Sequence, residues 1–244
     1  KKKVGLSAVN SINLARILAQ SVYYLFAWLK LEEEDRSNTT FVVPTGNFGN
    51  VFAGWILTKM NLPIKGFQVA TNQNDVLHRL FKYGQYSLGE FSQSLAPSMD
   101  IQVASNFERL LYFILDGDTQ KLTQIMAIFA KDGKYCFEDF KVDGFTSSSV
   151  CDDEIPEIIQ NIQNKYNYLV DPHTACAFKD LNVSEKYLIL ATAHPAKFPN
   201  VYEKALLPKP KSAILEKLKD KKSLKFSVGS SADAIRSFIE DNIS

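Results

Sequence analysis

Near the start of the chain, apolar positions recur with the period of a helix and then switch to that of a strand. Leu14, Ile17, Leu18, Val22, Leu25, Phe26 and Leu29 stand three and four apart, which predicts one amphipathic helix over 11–31. Asn10 or Ser11 is placed to cap its N-terminus. The acidic run Glu32–Asp35 carries the chain to solvent, and the unbroken segment Thr40–Pro44 predicts a buried strand. The loop Thr45-Gly-Asn-Phe-Gly-Asn50 comes next, then a helix over 50–60, a stop at Pro63 and a second strand over 64–70. Strand, glycine-bearing turn, helix and strand form a βαβ unit. The fold class is therefore α/β, with a parallel sheet flanked by helices.

Helical patterns follow at 72–82 and 105–115, separated by a polar, turn-rich stretch from Tyr83 to Asp100. Ser149 stands three positions before Asp152, a capping-box spacing that predicts a helix over 151–165. Tyr187–Ala191 reads as a short buried strand running into Thr192-Ala-His-Pro-Ala-Lys-Phe198. Lys209–Lys222 alternates lysine with apolar residues, and 231–242 reads as a last amphipathic helix. No internal repeat or low-complexity tract interrupts this order.

With 45% hydrophobic residues in 244, the chain has ample material for a core. A net charge of +1 gives no bulk field toward nucleic acid or acidic membranes, so neither is expected as a partner. The longest apolar stretch, Ile17–Leu29, falls short of the ~20 residues of a bilayer span. No signal peptide is visible, and the first residue is Lys1, so the chain is read as processed or as a piece of something longer. Cys136, Cys151 and Cys176 form no close pair and no metal-ligand spacing, which favours free thiols in a reducing compartment.

Among candidate motifs, Gly46-Asn-Phe-Gly49-Asn50 carries the most chemistry. Two glycines let the backbone approach an oxyanion, and the start of the following helix favours a phosphate there. It is neither a P-loop nor a dinucleotide fingerprint. The competing reading is a tight turn that needs glycine for a positive φ. In Asn10-Ser11-Ile-Asn13-Leu-Ala-Arg16, neutral donors and a guanidinium share one helix start and could hold an anion. Taken alone, that motif reads as a capped helix with a solvated arginine. His173 and His194 lie in turn-like settings, while His78 reads as structural or surface. No histidine pair or nearby cysteine supports zinc. Ser147-Ser-Ser149 lacks the glycines of a nucleophile elbow. The lysines of 209–225 are interspersed with Glu216 and Asp220 and read as a solvated helix face.

Taken together, several segments make the chain resemble threonine synthase. They are 10–20, Pro44–Asn50, Ala70-Thr-Asn-Gln-Asn-Asp75, Pro97-Ser-Met-Asp-Ile101, Ser105-Asn-Phe-Glu-Arg109, Asp171-Pro-His-Thr-Ala175 and Ala191–Phe198. The resemblance implies the fold type II, tryptophan synthase β-like architecture and pyridoxal 5'-phosphate (PLP) as cofactor. It implies conversion of O-phosphohomoserine and water to threonine and phosphate in the cytoplasm. By the same resemblance, Gly46, Asn47, Phe48, Gly49 and Asn50 hold the cofactor phosphate. Thr192 offers the pyridine nitrogen a hydroxyl rather than a carboxylate, and Asn10, Ser11 and Arg16 bind the substrate phosphate. The reading of the Asn10–Arg16 motif is thereby reversed.

The family's Schiff-base lysine lies in a Phe-Lys-Asp segment upstream of the Asn-Ser-Ile-Asn helix, so this chain is expected to be somewhat over half of a full enzyme, with no catalytic residue of its own and inactive by itself. Phe178-Lys179-Asp180 is read as a coincidental match, with Lys179 on the surface. The expected organisation is a remainder of the inter-domain, substrate-binding segment at 1–36, a PLP-phosphate domain at 37–205 and a helical extension at 206–244. Another PLP phospholyase of the same fold, or a non-catalytic phosphate-binding remnant, are the alternatives; monomer and homodimer both stay open. The resemblance gives no role to His173 or to the Ser98-Met-Asp100 loop.

Overall fold

The βαβ pattern builds a parallel sheet. The computed structural model describes residues 10–219 and 221–242, which fall into two compact units, 10–210 and 211–242. The first begins with α1 (Leu14–Leu29), α2 (Glu33–Arg36), β1 (Thr39–Pro44), α3 (Gly49–Lys59) and β2 (Gly66–Thr71). It continues with α4 (Val76–Tyr83), β3 (Gln85–Ser87), α5 (Phe107–Ile114), α6 (Thr119–Asp132), β4 (Lys134–Cys136) and β5 (Phe145–Ser149). It ends with α7 (Ile155–Tyr166), α8 (Pro172–Ala175), β6 (Lys186–Ile189) and α9 (Pro199–Lys204). The second unit holds α10 (Ala213–Lys219) and α11 (Ala232–Asn242). No helix among the described residues is long and apolar enough to cross a membrane.

The sheet order is β5-β2-β1-β6, all parallel. Both central strands are buried along their whole length, as parallel strands covered on two faces must be. Alternation along the strands sends Phe41, Val43, Phe67 and Val69 into the core shared with α1 and α3. Val42 and Ala70 point to the opposite face, against Ala177. β3 and β4 form a separate antiparallel pair.

Helix α1 meets α3 through Tyr24, whose ring is fully buried and whose hydroxyl donates to the Asn50 carbonyl at 2.8 Å. The approach is close because residue 54 is glycine: a Cβ there would stand 2.4 Å from the Tyr24 ring.

Several sequence expectations change. Asn13, not Asn10 or Ser11, caps α1, its Oδ1 accepting the Ala15 N–H at 2.9 Å. Of the apolar stripe that defined this helix, only Ile17 is buried, while Leu14, Leu18, Val22, Leu25, Phe26 and Leu29 are exposed. The helix expected over 72–82 starts at Val76, because Asn72 and Asn74 spend their side chains on the loop at 92–100. The capping box at Ser149 does not form. Ser149 donates instead to the Asn72 carbonyl, Asp152 accepts the Leu95 N–H, and the helix begins at Ile155. Among the described residues of the lysine-rich stretch, regular helix is confined to α10. Lys179 follows a short 3-10 turn and pairs with Glu154.

Candidate functional site

Strand order alone marks where a crevice should open. From β1 the chain moves to β2 and β5 on one side, then crosses to β6 on the other, so the direction reverses between β1 and β6. In an open parallel sheet the loops leaving the strand ends at such a point diverge and leave a cleft. A cavity of about 520 Å3 lies there, lined by Pro44–Asn50 after β1 and Leu190–Thr192 after β6. Ser11, Arg16, Ile17, Gln20 and Tyr23 line it from α1 and the turn before it, and Ser98 from the segment after β3. Eight of the nine residues singled out in the sequence thus border one space: Gly46, Asn47, Phe48, Gly49, Asn50, Thr192, Ser11 and Arg16. Asn10 is not among its walls; its Oδ1 accepts the Ile12 N–H at 3.4 Å, within the turn before α1.

The turn from β1 into α3 is held from below. Thr45 N–H donates to the Ala70 carbonyl at 2.8 Å and Thr45 Oγ1 to Val43 at 2.5 Å. Neither Gly46 nor Gly49 has a positive φ. That conformation falls to Phe48, at φ 65°, an outlier for a bulky side chain. Its ring is buried against Phe81, Phe107 and Phe145, with centroids 5.9, 6.4 and 6.3 Å away, and this packing holds the strained backbone in place. Gly46 answers a different need, since a Cβ there would stand 2.8 Å from the Ser98 carbonyl oxygen. The positive-φ reading therefore fails at both glycines, and at Gly46 close approach of backbone replaces it; a Cβ at Gly49 would meet the Asn106 side chain at an ordinary 3.4 Å. Phe52 N–H closes the first turn of α3 onto the Phe48 carbonyl at 3.0 Å. The N–H groups ahead of it have no intrahelical acceptor and lie at the positive end of the helix dipole.

Asn106 was part of a recognised segment but had no role. It is fully buried and its Nδ2 donates to both Asn47 O and Ser11 O at 3.0 Å, tying the phosphate-loop candidate to the segment before α1. Arg109 adds a bond to the Ile12 carbonyl at 2.6 Å. Asn106 Oδ1 is buried with no partner among the described residues.

The Asp171-Pro-His-Thr segment touches two of the lining residues, Ser98 through His173 and Thr192 through Thr174. Asp171 is buried, and its Oδ1 accepts from the His173 backbone N–H at 3.0 Å and from His173 Nδ1 at 2.9 Å. Its Oδ2 accepts the Thr174 hydroxyl at 2.5 Å. Burial by itself pushes this carboxyl up, but the donors from His173 and Thr174 outweigh it and hold Asp171 below the usual carboxylate range. His173 Nε2 accepts the Ser98 N–H at 3.1 Å, so it carries no proton: the ring is neutral, protonated on Nδ1. His173 thus steadies Ser98, the residue against which Gly46 packs. His194 accepts its own Ala196 N–H and lies outside the cavity wall. His78, on α4, meets Ser147 of the edge strand β5 at 3.0 Å.

Comparisons with known proteins bear on the family and the fold. The family model for the threonine synthase C-terminal region matches residues 173–239. Threonine synthase of Pseudomonas aeruginosa is 42% identical over 213 residues, covering 84% of this chain and 45% of that protein. The Saccharomyces cerevisiae enzyme is 37% identical, covering 99% of this chain and 54% of its own length. Among solved structures, PLP-bound threonine synthase from Brucella melitensis superposes with a TM-score of 0.87 at 35% identity, covering 97% of this chain and 53% of that one. The yeast enzyme gives 0.82, also at 35%, covering 96% and 53%. The chain spans about half the length of these relatives. In sequence and in fold, the chain belongs to the threonine synthase family, as a C-terminal portion of it.

Proposed function

We propose that this chain is the part of a PLP-dependent threonine synthase that holds two phosphates: the cofactor's at Gly46–Asn50 and that of O-phosphohomoserine at Ser11 and Arg16. The observation that carries the reading is that one cavity at the sheet's switch point is lined by both helix starts and by Thr192. The donor set suits PLP. Backbone N–H groups at the start of α3 and the Asn47 and Asn50 amides surround a loop whose Gly46 leaves no room for a Cβ. Thr192 offers the ring nitrogen a hydroxyl.

When bound, PLP supplies the electron sink that makes protons on the amino-acid carbons removable. The chain's own residues bind and orient. Arg16 adds a charge-assisted contact to a phosphate, and two fixed phosphates set the angle between cofactor and substrate. Ile17, Phe48 and Leu190 contribute apolar wall that limits water around the reacting carbons. Asn10 shapes the turn before α1 rather than lining the cavity. The free thiols of Cys136, Cys151 and Cys176 support a reducing, cytoplasmic setting.

In the intact polypeptide, Arg16→Ala should raise KM for O-phosphohomoserine roughly tenfold to a hundredfold, the loss of a charged hydrogen bond, with PLP content unchanged. A fall in PLP content with KM unchanged would show the two phosphate sites to be assigned the wrong way round. Scoring threonine against the corresponding keto acid in the same assay separates this activity from that of a phospholyase.

A further inference from the structure

One buried side chain spans the two segments to which the phosphates are assigned. Asn106 is fully buried, and the two hydrogens on its Nδ2 go to the Ser11 carbonyl and the Asn47 carbonyl, each at 3.0 Å. The Asn47 carbonyl also accepts the Asn106 backbone N–H at 3.1 Å, so a single residue takes both of its lone pairs. Arg109, about one turn further along α5, holds the next carbonyl of the other segment, that of Ile12. Packing alone does not explain this arrangement. Asn106 Oδ1 is buried and meets no donor among the described residues, a state that native folds rarely keep without a reason. Turning the amide over would set that oxygen against the Ser11 and Asn47 carbonyls, so the orphan is the consequence of serving both. An apolar side chain of similar volume would fill the space without an orphan, but it would not bridge the two segments.

Resting on the two-phosphate reading above, we propose that Asn106 is a positioning residue that couples the two segments, so that filling the Gly46–Asn50 loop orders residues 10–16 for the substrate. Asn106 is absent from the cavity wall and acts only through the backbone of Ser11 and Asn47, both of which line it. A phosphate that fixes the loop fixes the Asn47 carbonyl. That carbonyl holds the amide, and the amide holds Ser11 at the entry to α1. The coupling is reciprocal, since a ligand held at Ser11 and Arg16 steadies the loop by the same route.

The test is hydrogen–deuterium exchange of the intact polypeptide without and with PLP, read in peptides covering 10–16 and 46–50, together with kcat per bound PLP. In wild type, PLP should slow exchange in both, by about fivefold or more at 10–16, the lower end of typical coupling between sites. Asn106→Ala should keep the slowing at 46–50 and lose it at 10–16. Its kcat per bound PLP should fall roughly tenfold to a hundredfold, the effect of misplaced reactants. Slowing at 10–16 that survives in Asn106→Ala means direct contact with PLP and overturns the inference. So does an unchanged kcat per bound PLP, the mark of a role in stability alone, and so does a wild type whose 10–16 segment ignores PLP bound at 46–50. Should Asn106→Ala fail to fold, Asn106→Ser, whose hydroxyl can serve one carbonyl but not both, is expected to show the same losses. PLP that binds without slowing exchange at 46–50 overturns the cofactor-loop assignment itself.

Discussion

Gly46 was singled out for backbone approach to an oxyanion, against a competing reading of positive φ. Two glycines in a strand-to-helix turn suggest positive φ, yet that conformation sits on Phe48, while Gly46 is required by the Ser98 carbonyl oxygen, 2.8 Å from where a Cβ would be. The neighbour is backbone, held in turn by His173, so it cannot swing aside. Gly46→Ala should therefore displace the loop, weakening PLP binding at least tenfold at a stability cost of about 1–3 kcal/mol. Fluorescence titration with PLP and urea unfolding measure the two effects; unchanged affinity would mean the cofactor phosphate is held elsewhere. The position was legible in the sequence because glycine marks close approach and positive φ alike. The cause was not, because Ser98 reaches Gly46 only through the fold. Asn106 was hidden for the same reason; Asp171 was not, its partners lying two and three positions on in its own turn. A buried amide bridging Asn47 to Ser11, and a carboxylate collecting donors from two residues of its own turn, leave no periodic signal.

Helix α1 gives the same lesson for an element. Its apolar spacing located the helix within three residues at each end, but not which neighbour it meets. Tyr24 and Ile17 make the buried contact, and the rest of the stripe that announced the helix faces outward. Periodicity reports that a face is apolar; it does not report what lies against it. Ile17→Ala should thus cost about 2–4 kcal/mol in urea unfolding of this chain, whereas Leu18→Ala, at 50% exposure, should stay within about 0.5 kcal/mol. Equal losses would show that the outward face is packed. The βαβ unit was legible because two unbroken apolar runs flank a glycine turn. The helix at 119–132 was not, its apolar residues being diluted among lysines and glutamines. The supposed capping box at Ser149 failed because Asn72 and Leu95, distant in sequence, took its members.

For the whole molecule, function follows from where the strand order reverses. Nothing local says that β6 returns beside β1, yet that return sets Thr192 and the Gly46–Asn50 turn, more than 140 positions apart, on the wall of one cavity. Before the fold was known, only the likeness of several short segments to one family linked those loops; the residues alone left each with a bland alternative. We propose that two distinct phosphate sites share this cavity. A 31P NMR titration of the intact polypeptide, with PLP and then O-phosphohomoserine, tests it most directly. Two separate bound signals should appear, with Arg16→Ala removing the substrate's and leaving the cofactor's in place. A single shared phosphate environment, or loss of the PLP signal in Arg16→Ala, would contradict the account.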